Sequence, residues 1–359
     1  MRTKIISALA VAAALLLCYP ANGRRADAKA VQEKQYSVYA IGFYNLENLF
    51  DTVHDKGKND YQYTPNGSLR WNGLKYRNKL KNLARALADM GTEQLKNVGC
   101  AAIGVAEVEN RQVLVDLINQ EPLKARGYKF IHYEGPDRRG IDCALLYNPK
   151  LFHVTKSVLL PYRPELQKDS DFKTRGYLLV EGQMAGEHVA IIVNHWPSRT
   201  STSFYRETAG RQNKAIKDSL VKADPKVKVL IMGDMNDDPR NKSMVQALQC
   251  KAEQSEVTED DMYNPWFNIH KKGIGTLTYQ GSWNLFDQIV MSPSLVNTGK
   301  IKDFSTLKYW KCAIQRRNYL LQTDGKYKGS PKRTHAGGSW LNGYSDHLPV
   351  VVFLSKEKK

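Results

Sequence analysis

Apolar and polar positions along this chain alternate in short runs rather than long stripes. Tyr36 to Tyr44 (YSVYAIGFY) is rich in aromatic and branched residues and predicts a strand. The same reading applies to Gly99–Val105, Tyr128–Tyr133, Ile141–Tyr147, Tyr177–Val180, His188–Val193, Val229–Met232, Phe286–Met291 and Leu348–Leu354. Helical spacing runs from Leu74 to Met90, where Leu80, Leu83, Ala84 and Leu87 share a face and Gly91 follows as a stop. The other face carries Lys75, Arg77, Lys79, Lys81 and Arg85 and reads as solvated. Further helices are expected at Arg111–Asn119, at Phe204–Val221, whose polar side is basic through Arg206, Arg211, Lys214 and Lys217, and near Ser243–Gln249. Val257–Lys272 and residues 311–344 read as long loops. About ten strands with about four helices and no dividing linker predict one domain of two packed sheets with helices outside.

The strands share a second feature: polar groups collect at their ends. Asn45 and Glu47, Glu107, Asp142, Asn194 and His195, Asp234 and Asn236, Asp287, and Asp346 with His347 all sit at or near a strand terminus. The run KVLIMGDMNDDP, Lys228–Pro239, is the clearest case: four apolar residues, Gly233, then acids and an amide. Sheet edges of this kind hold ligands in open α/β folds. Taken singly, each element has a plainer reading: an Asx turn, a surface acid, a hydrogen-bonded structural histidine. Their joint occurrence points to a site. Carboxylates without thiolates favour a hard cation, Mg²⁺ or Mn²⁺. Two histidines with acids available suit proton transfer and stabilisation of a transferring phosphoryl group.

Composition narrows the partners. Across 359 residues, 42% are apolar and 25% charged, which fits a globular chain without low-complexity tracts. Residues 1–23 read as a signal peptide: Arg2 and Lys4, an apolar run from Ile5 to Leu17, then Ala21-Asn22-Gly23. Export to a secreted or periplasmic location is therefore expected, with lipidation at Cys18 the weaker alternative because bulky Leu17 precedes it. Residues 24–35 read as a flexible leader and 36–355 as the domain, with no later run long enough to span a bilayer. Formal net charge is +17, and +15 without Arg2 and Lys4, which suggests a polyanionic partner: nucleic acid, anionic lipid or polysaccharide. No obligate protein partner is evident. Cys100, Cys143, Cys250 and Cys312 allow three pairings, and no CxxC suggests thiolate-bound zinc.

The segments FYNLENLFD, VAEVEN, RRGIDCALLY, VNHWPSR, MGDMNDDP, LFDQIVMS and YSDHLPV, in this order, resemble the motif set of the endonuclease/exonuclease/phosphatase superfamily, with its DNase I-like fold. The resemblance spans residues 36–355 and is nearest in wording to secreted bacterial nuclease-like members. It implies a four-layer αββα sandwich with two mostly antiparallel sheets and a metal-dependent phosphodiester hydrolase. By the same resemblance, Glu107 is a metal ligand, with Asn45, Glu47 and Asp346 near the metal. Asp234 orients or deprotonates the attacking water, and Asn236 lies beside the scissile phosphate. His347 pairs with Asp287, and His195 with Asp142. Arg139, Arg199 and Arg211 are candidates for phosphate contacts from their positions and the fork geometry of guanidinium. A nuclease acting on DNA or RNA is the expected function. A phosphatase or phospholipase-C-type enzyme on the same site is the alternative, and a catalytically silent binding protein the second. For a lipid-cleaving enzyme, Tyr263, Trp266 and Phe267 would be the apolar loop reaching a bilayer.

Overall fold

In the computed structural model, residues 34–165 and 171–358 are described. The expected signal peptide and nearly all of the leader lie outside them. Chain order gives β1 (Tyr36–Leu49), α1 (Gly73–Asp89), β2 (Ala102–Val108), α2 (Arg111–Ile118), α3 (Leu123–Arg126), β3 (Lys129–His132), β4 (Asp142–Tyr147) and β5 (His153–Leu160). Then come β6 (Tyr177–Met184), β7 (Glu187–His195), α4 (Ser203–Ala223), β8 (Lys228–Asp234), β9 (Cys250–Lys251), β10 (Met262–Tyr263) and α5 (Phe267–Lys271). The chain closes with the hairpin β11 (Leu277–Tyr279) and β12 (Ser282–Asn284), β13 (Asp287–Met291), β14 (Lys308–Ile314), the short pair β15 (His335–Ala336) and β16 (Ser339–Trp340), and β17 (Val350–Glu357).

Two large sheets result. One runs β14-β17-β1-β2-β4-β3 and the other β5-β6-β7-β8-β13-β10-β9. Pairing is antiparallel except at β1–β2, β7–β8 and β9–β10. Alternation along each strand decides which layer a side chain joins. In β1, Ile41 and Phe43 face the second sheet, while Ala40 and Tyr44 face the helices. In β8, Leu230 and Met232 face inward, and Val229 and Ile231 join the cluster containing α4 residues such as Ala209. Leu80, Leu83 and Leu87 of α1 with Val113 and Leu117 of α2 cover the other outer face. Three buried clusters thus separate four layers, α/β/β/α: the DNase I-like sandwich. Among the described residues, no helix is long and apolar enough to cross a membrane.

Several expectations need correction. The edge strand β5 was not foreseen, because its burial is only partial and its apolar signal weak. Residues 311–344 are not wholly loop: β14 runs into them and pairs with β17. Val257–Lys272 is not a surface loop, since Met262, Tyr263 and Trp266 are buried and Trp266 Nε1 donates to the Ile289 carbonyl. The helix expected near Ser243–Gln249 is a single π turn, Ser243–Ala247, closed by Leu248 N–H on Ser243 O. Lys79 was read as solvated, and Arg206 and Lys217 as part of the basic polar side of a helix, yet all three are buried. Each is held by oxygen: Lys79 by Thr334 and Tyr344, Arg206 by Asp237 and two carbonyls, Lys217 by Asp218 and two carbonyls.

Spacing between the sheets is set partly by Gly104 of β2. A Cβ there would stand 2.6 Å from Met232 Sδ and 3.0 Å from Val193 Cγ1, both on the facing sheet. Gly104→Ala is therefore expected to cost about 1–3 kcal/mol through overpacking. Urea unfolding at unchanged m-value is the check, and a variant as stable as the parent would contradict it.

Candidate active site

The polar strand ends meet at one rim of the sandwich. Registers explain why. His195 ends β7 beside Asp234 of its parallel neighbour β8, and Asp287 opens β13 directly opposite Asp234. Three ionisable groups therefore stand in one row of the second sheet. The first sheet contributes from β1 and β2, whose registers both shift at the rim: between Asn45 and Leu49, and between Ala106 and Val108. Glu47 (φ 49°), Asn48 (φ 55°) and Glu107 (φ 63°) take left-handed backbone there, as does Asn236 (φ 50°) just after β8. Non-glycine residues occupy that region at a cost and persist where surroundings hold them, commonly at functional sites.

Asp234 is the centre. Its Oδ2 accepts from Asn45 Nδ2 (3.0 Å) and its Oδ1 from Asn236 N (2.9 Å). The Nε2 atoms of His195 and His347 lie 3.7 and 3.8 Å from Oδ2. Burial raises the Asp234 carboxyl to about 6 against the pull of His347. His347 Nδ1 is 2.7 Å from Asp287 Oδ2. Burial disfavours the imidazolium of His347, but Asp287 and Asp234 outweigh it, so its pKa lies well above the usual value. His195 is driven the other way, by burial first and then by the cations Arg175 and Arg139. One histidine is thus held charged and the other neutral.

Around this centre stand the rim acids. Glu107 accepts from Asn48 N (2.8 Å), and its other oxygen is 3.4 Å from Arg139 Nη2 and 3.8 Å from His195 Nε2. Glu47 accepts from Thr334 N (2.6 Å) and lies 3.3 Å from Arg333 Nε and 3.7 Å from Lys79 Nζ. Burial, then the charge of Asp346, lifts Glu47 to about 6. Arg333 also bonds Asp346 (2.9 Å). Glu47, Glu107 and Asp346 are oxygen donors of the kind a hard divalent cation takes while keeping several waters, and among them the charge of Asp346 acts on Glu47. Asn45 stands apart from that set: its amide serves Asp234 and the Glu47 backbone. Asp234, Asp287 and His347 also offer ligand atoms within 4.8 Å of one another, but His347 and Asp287 already satisfy each other directly.

Three expected placements fail. Asp142 is not the partner of His195. One of its oxygens accepts from Gly135 N and the other is 3.5 Å from His132 Nε2, while His195 Nδ1 is buried without a hydrogen-bond partner among the described residues. Arg211 points away on α4, forked onto Glu165 and stacked over Phe204. Arg199 braces the turn after β8: it donates to Asn236 O and Asp238 and covers the Phe286 ring, so its donors are committed. Of the three expected arginines, Arg139 reaches the rim, where Arg333 also stands. Sequence reading missed Lys79, Asn48, Arg333 and Thr334. Only Asn48 lay inside a recognised segment. The others come from a helix face and a loop with no signal of their own.

The sequence profile of the Endonuclease/Exonuclease/phosphatase family matches residues 40–356. The chain belongs to this family. Members of the family are hydrolases of phosphoester bonds and generally depend on a divalent metal. No curated protein sequence matches. Among solved structures, truncated Caenorhabditis elegans TDP2 has 16% identity and TM-score 0.53, covering 88% of this chain and 97% of that one. D. rerio TDP2 complexed with single strand DNA product has 14% identity and TM-score 0.52, covering 89% and 99%. A mannosyl-6-phosphatase of Bacteroides thetaiotaomicron has 15% identity and TM-score 0.52, covering 88% and 99%. At such identity these neighbours establish the fold and leave the substrate open.

The opposite shifts of the two histidines have a consequence for stability. A histidine whose folded pKa is depressed binds fewer protons folded than unfolded, so stability is lost as pH falls below about 6.5. His195→Gln removes that loss. Relative to the parent in chelator, it should gain up to about 1.4 kcal/mol per pH unit below 6.5, seen in melts from pH 7.5 to 5. A constant offset across that range would argue against a neutral, buried His195.

Proposed function

We propose that this chain is an exported phosphodiesterase that hydrolyses nucleic acid with a divalent metal, Mg²⁺ or Mn²⁺, at the rim. The observation that carries the hydrolytic reading is a single carboxylate, Asp234, flanked by two imidazoles held in opposite protonation states. With its pKa near 6, Asp234 is mostly ionised at neutral pH and able to take a proton from water. Asn45 and Asn236 N–H fix its orientation. His347, kept cationic by Asp287, stabilises charge on a phosphoryl oxygen or protonates the leaving oxygen. His195, kept neutral, is a hydrogen-bonding group beside Asp234. Arg139 adds a guanidinium beside Glu107. Glu107, Glu47 and Asp346 are the groups that would hold the metal, which when bound supplies charge neutralisation on the phosphoryl oxygens. Asp142 and Arg211 have no part in this scheme.

Nucleic acid is favoured over lipid on two grounds. The mature chain carries +15, suited to tracking a phosphate backbone. In addition, the aromatic stretch considered for membrane contact has its Trp266 and Tyr263 buried in the core. D. rerio TDP2, similar in fold, was solved with a single strand DNA product. The phosphatase reading has a fold neighbour of its own and stays as the alternative. Export rests on residues 1–23 alone.

Glu107→Gln preserves shape and removes charge. Hydrolysis should fall at least about 10²-fold, a loss of roughly 3 kcal/mol in transition-state stabilisation, and EDTA should abolish it. Full activity in either condition would remove the metal from the reaction. To identify the substrate, plasmid DNA, single-stranded RNA, sphingomyelin, phosphoinositides and a sugar phosphate should be offered in parallel at two salt concentrations. Salt-sensitive cleavage of DNA or RNA is expected. Turnover of small phosphoesters or lipids with nucleic acid left intact would select the alternative.

A further inference from the structure

Asp142, displaced from the role expected for it, belongs to a second cluster. β3 and β4 form an antiparallel pair in which His132 faces Ala144. Asp142 lies two residues from Ala144, so it shares a sheet face with His132. Glu134, two residues beyond His132, continues the same spacing. One ligand atom from each of the three lies within 4.8 Å of those of the other two. His132 Nε2 is 3.5 Å from Asp142 Oδ2 and Nδ1 is 3.9 Å from Glu134 Oε1.

The imidazole makes this more than a group of acids. Its side chain is 2% exposed, and its buried Nε2 has no hydrogen-bond partner among the described residues. His347 and Asp287 hydrogen-bond directly at 2.7 Å, whereas His132 Nε2 and Asp142 Oδ2 do not. The 3.5 Å gap instead suits two ligand atoms that share an ion at about 2.0–2.2 Å from each. Support around the ligand is present too: Gly135 N donates to Asp142 Oδ1, orienting the carboxylate and leaving Oδ2 facing the histidine.

We propose that His132, Glu134 and Asp142 form a second divalent-metal site, separate from the rim acids and of Zn²⁺ type. One imidazole with two carboxylates is a donor set for Zn²⁺ rather than for Mg²⁺ or Ca²⁺, which prefer oxygen alone. Three protein ligands leave a position for water. The site closes the mouth of the loop at residues 135–141. That loop carries Arg139 to Glu107, and Lys58 ties it down through the carbonyls of Gly135 and Asp137. An ion joining both ends of the loop would fix the path of Arg139 without touching substrate.

The full chain, stripped with chelator, should be dialysed against Zn²⁺ alone and bound metal measured per chain. One Zn²⁺ is expected in the parent and in Glu107→Gln, with a raised melting temperature in both. His132→Asn should lose it, and Glu134→Gln should bind at least about tenfold more weakly. Should His132→Asn fail to fold, Glu134→Gln decides, since Glu134 is 62% exposed and its change leaves the core alone. Undiminished Zn²⁺ binding in Glu134→Gln, loss of Zn²⁺ in Glu107→Gln, or no Zn²⁺ in the parent would each overturn the proposal. The result does not depend on the substrate, so it is read separately from the hydrolytic assignment.

Discussion

Two buried polar links cross between the sheets at the rim, and the site depends on them. Asn45 of β1 donates to Asp234 of β8, and His347, just before β17, bonds Asp287 of β13. Below the rim the sheets pack through apolar side chains such as Phe43, Val193, Met232 and Ile289, and at the far end Lys356 of β17 pairs with Glu187 of β7. Ionisable groups at the end of such an interface must be paired or change protonation state, because desolvation of an isolated charge is costly. The links therefore do two things. They satisfy the buried groups, and they hold the two halves of the site in register.

The same burial produces the electrostatics. Asp234 is raised and His195 is lowered by loss of water, while His347 is raised because two carboxylates outweigh that loss. Groups within about 4 Å of one another thus differ in protonation at a single pH. Pushing neighbouring pKa values apart is how a site obtains acid and base from ordinary side chains. Here the division follows from which imidazole has an acid in direct contact.

Preorganisation has a local cost. The register shifts of β1 and β2 and the left-handed backbone of Glu47, Asn48, Glu107 and Asn236 are unfavourable by themselves. Groups from distant parts of the chain offset that cost. Asn48 N donates to Glu107, Thr334 N to Glu47, and buried Lys79 and exposed Arg333 stand beside Glu47. Lys79 is itself anchored by Thr334 and Tyr344, so α1 and the 311–344 region act together on one glutamate.

The sequence by itself determined the layers and the rim. Short apolar and branched runs such as Tyr36–Tyr44 and Val229–Met232 mark strands, and helical spacing in Leu80, Leu83 and Leu87 marks a helix face, because burial of each face is what stabilises the sandwich. The placing of Asn45, Glu107, His195, Asp234, Asp287 and His347 at strand ends, together with their motif order, was legible for the same reason: a strand fixes where its terminus emerges. What the sequence left open was which groups touch. Asp142 faces His132 rather than His195 because the β3–β4 register sets its neighbours, and Lys79 turns inward because Thr334, Tyr344 and Glu47 wait there. Arg211 and Arg199 stood beside motifs in the chain, yet one is drawn off by Glu165 and the other by the turn after β8. Contacts between segments tens to hundreds of residues apart depend on packing and register, and only the tertiary structure decides those.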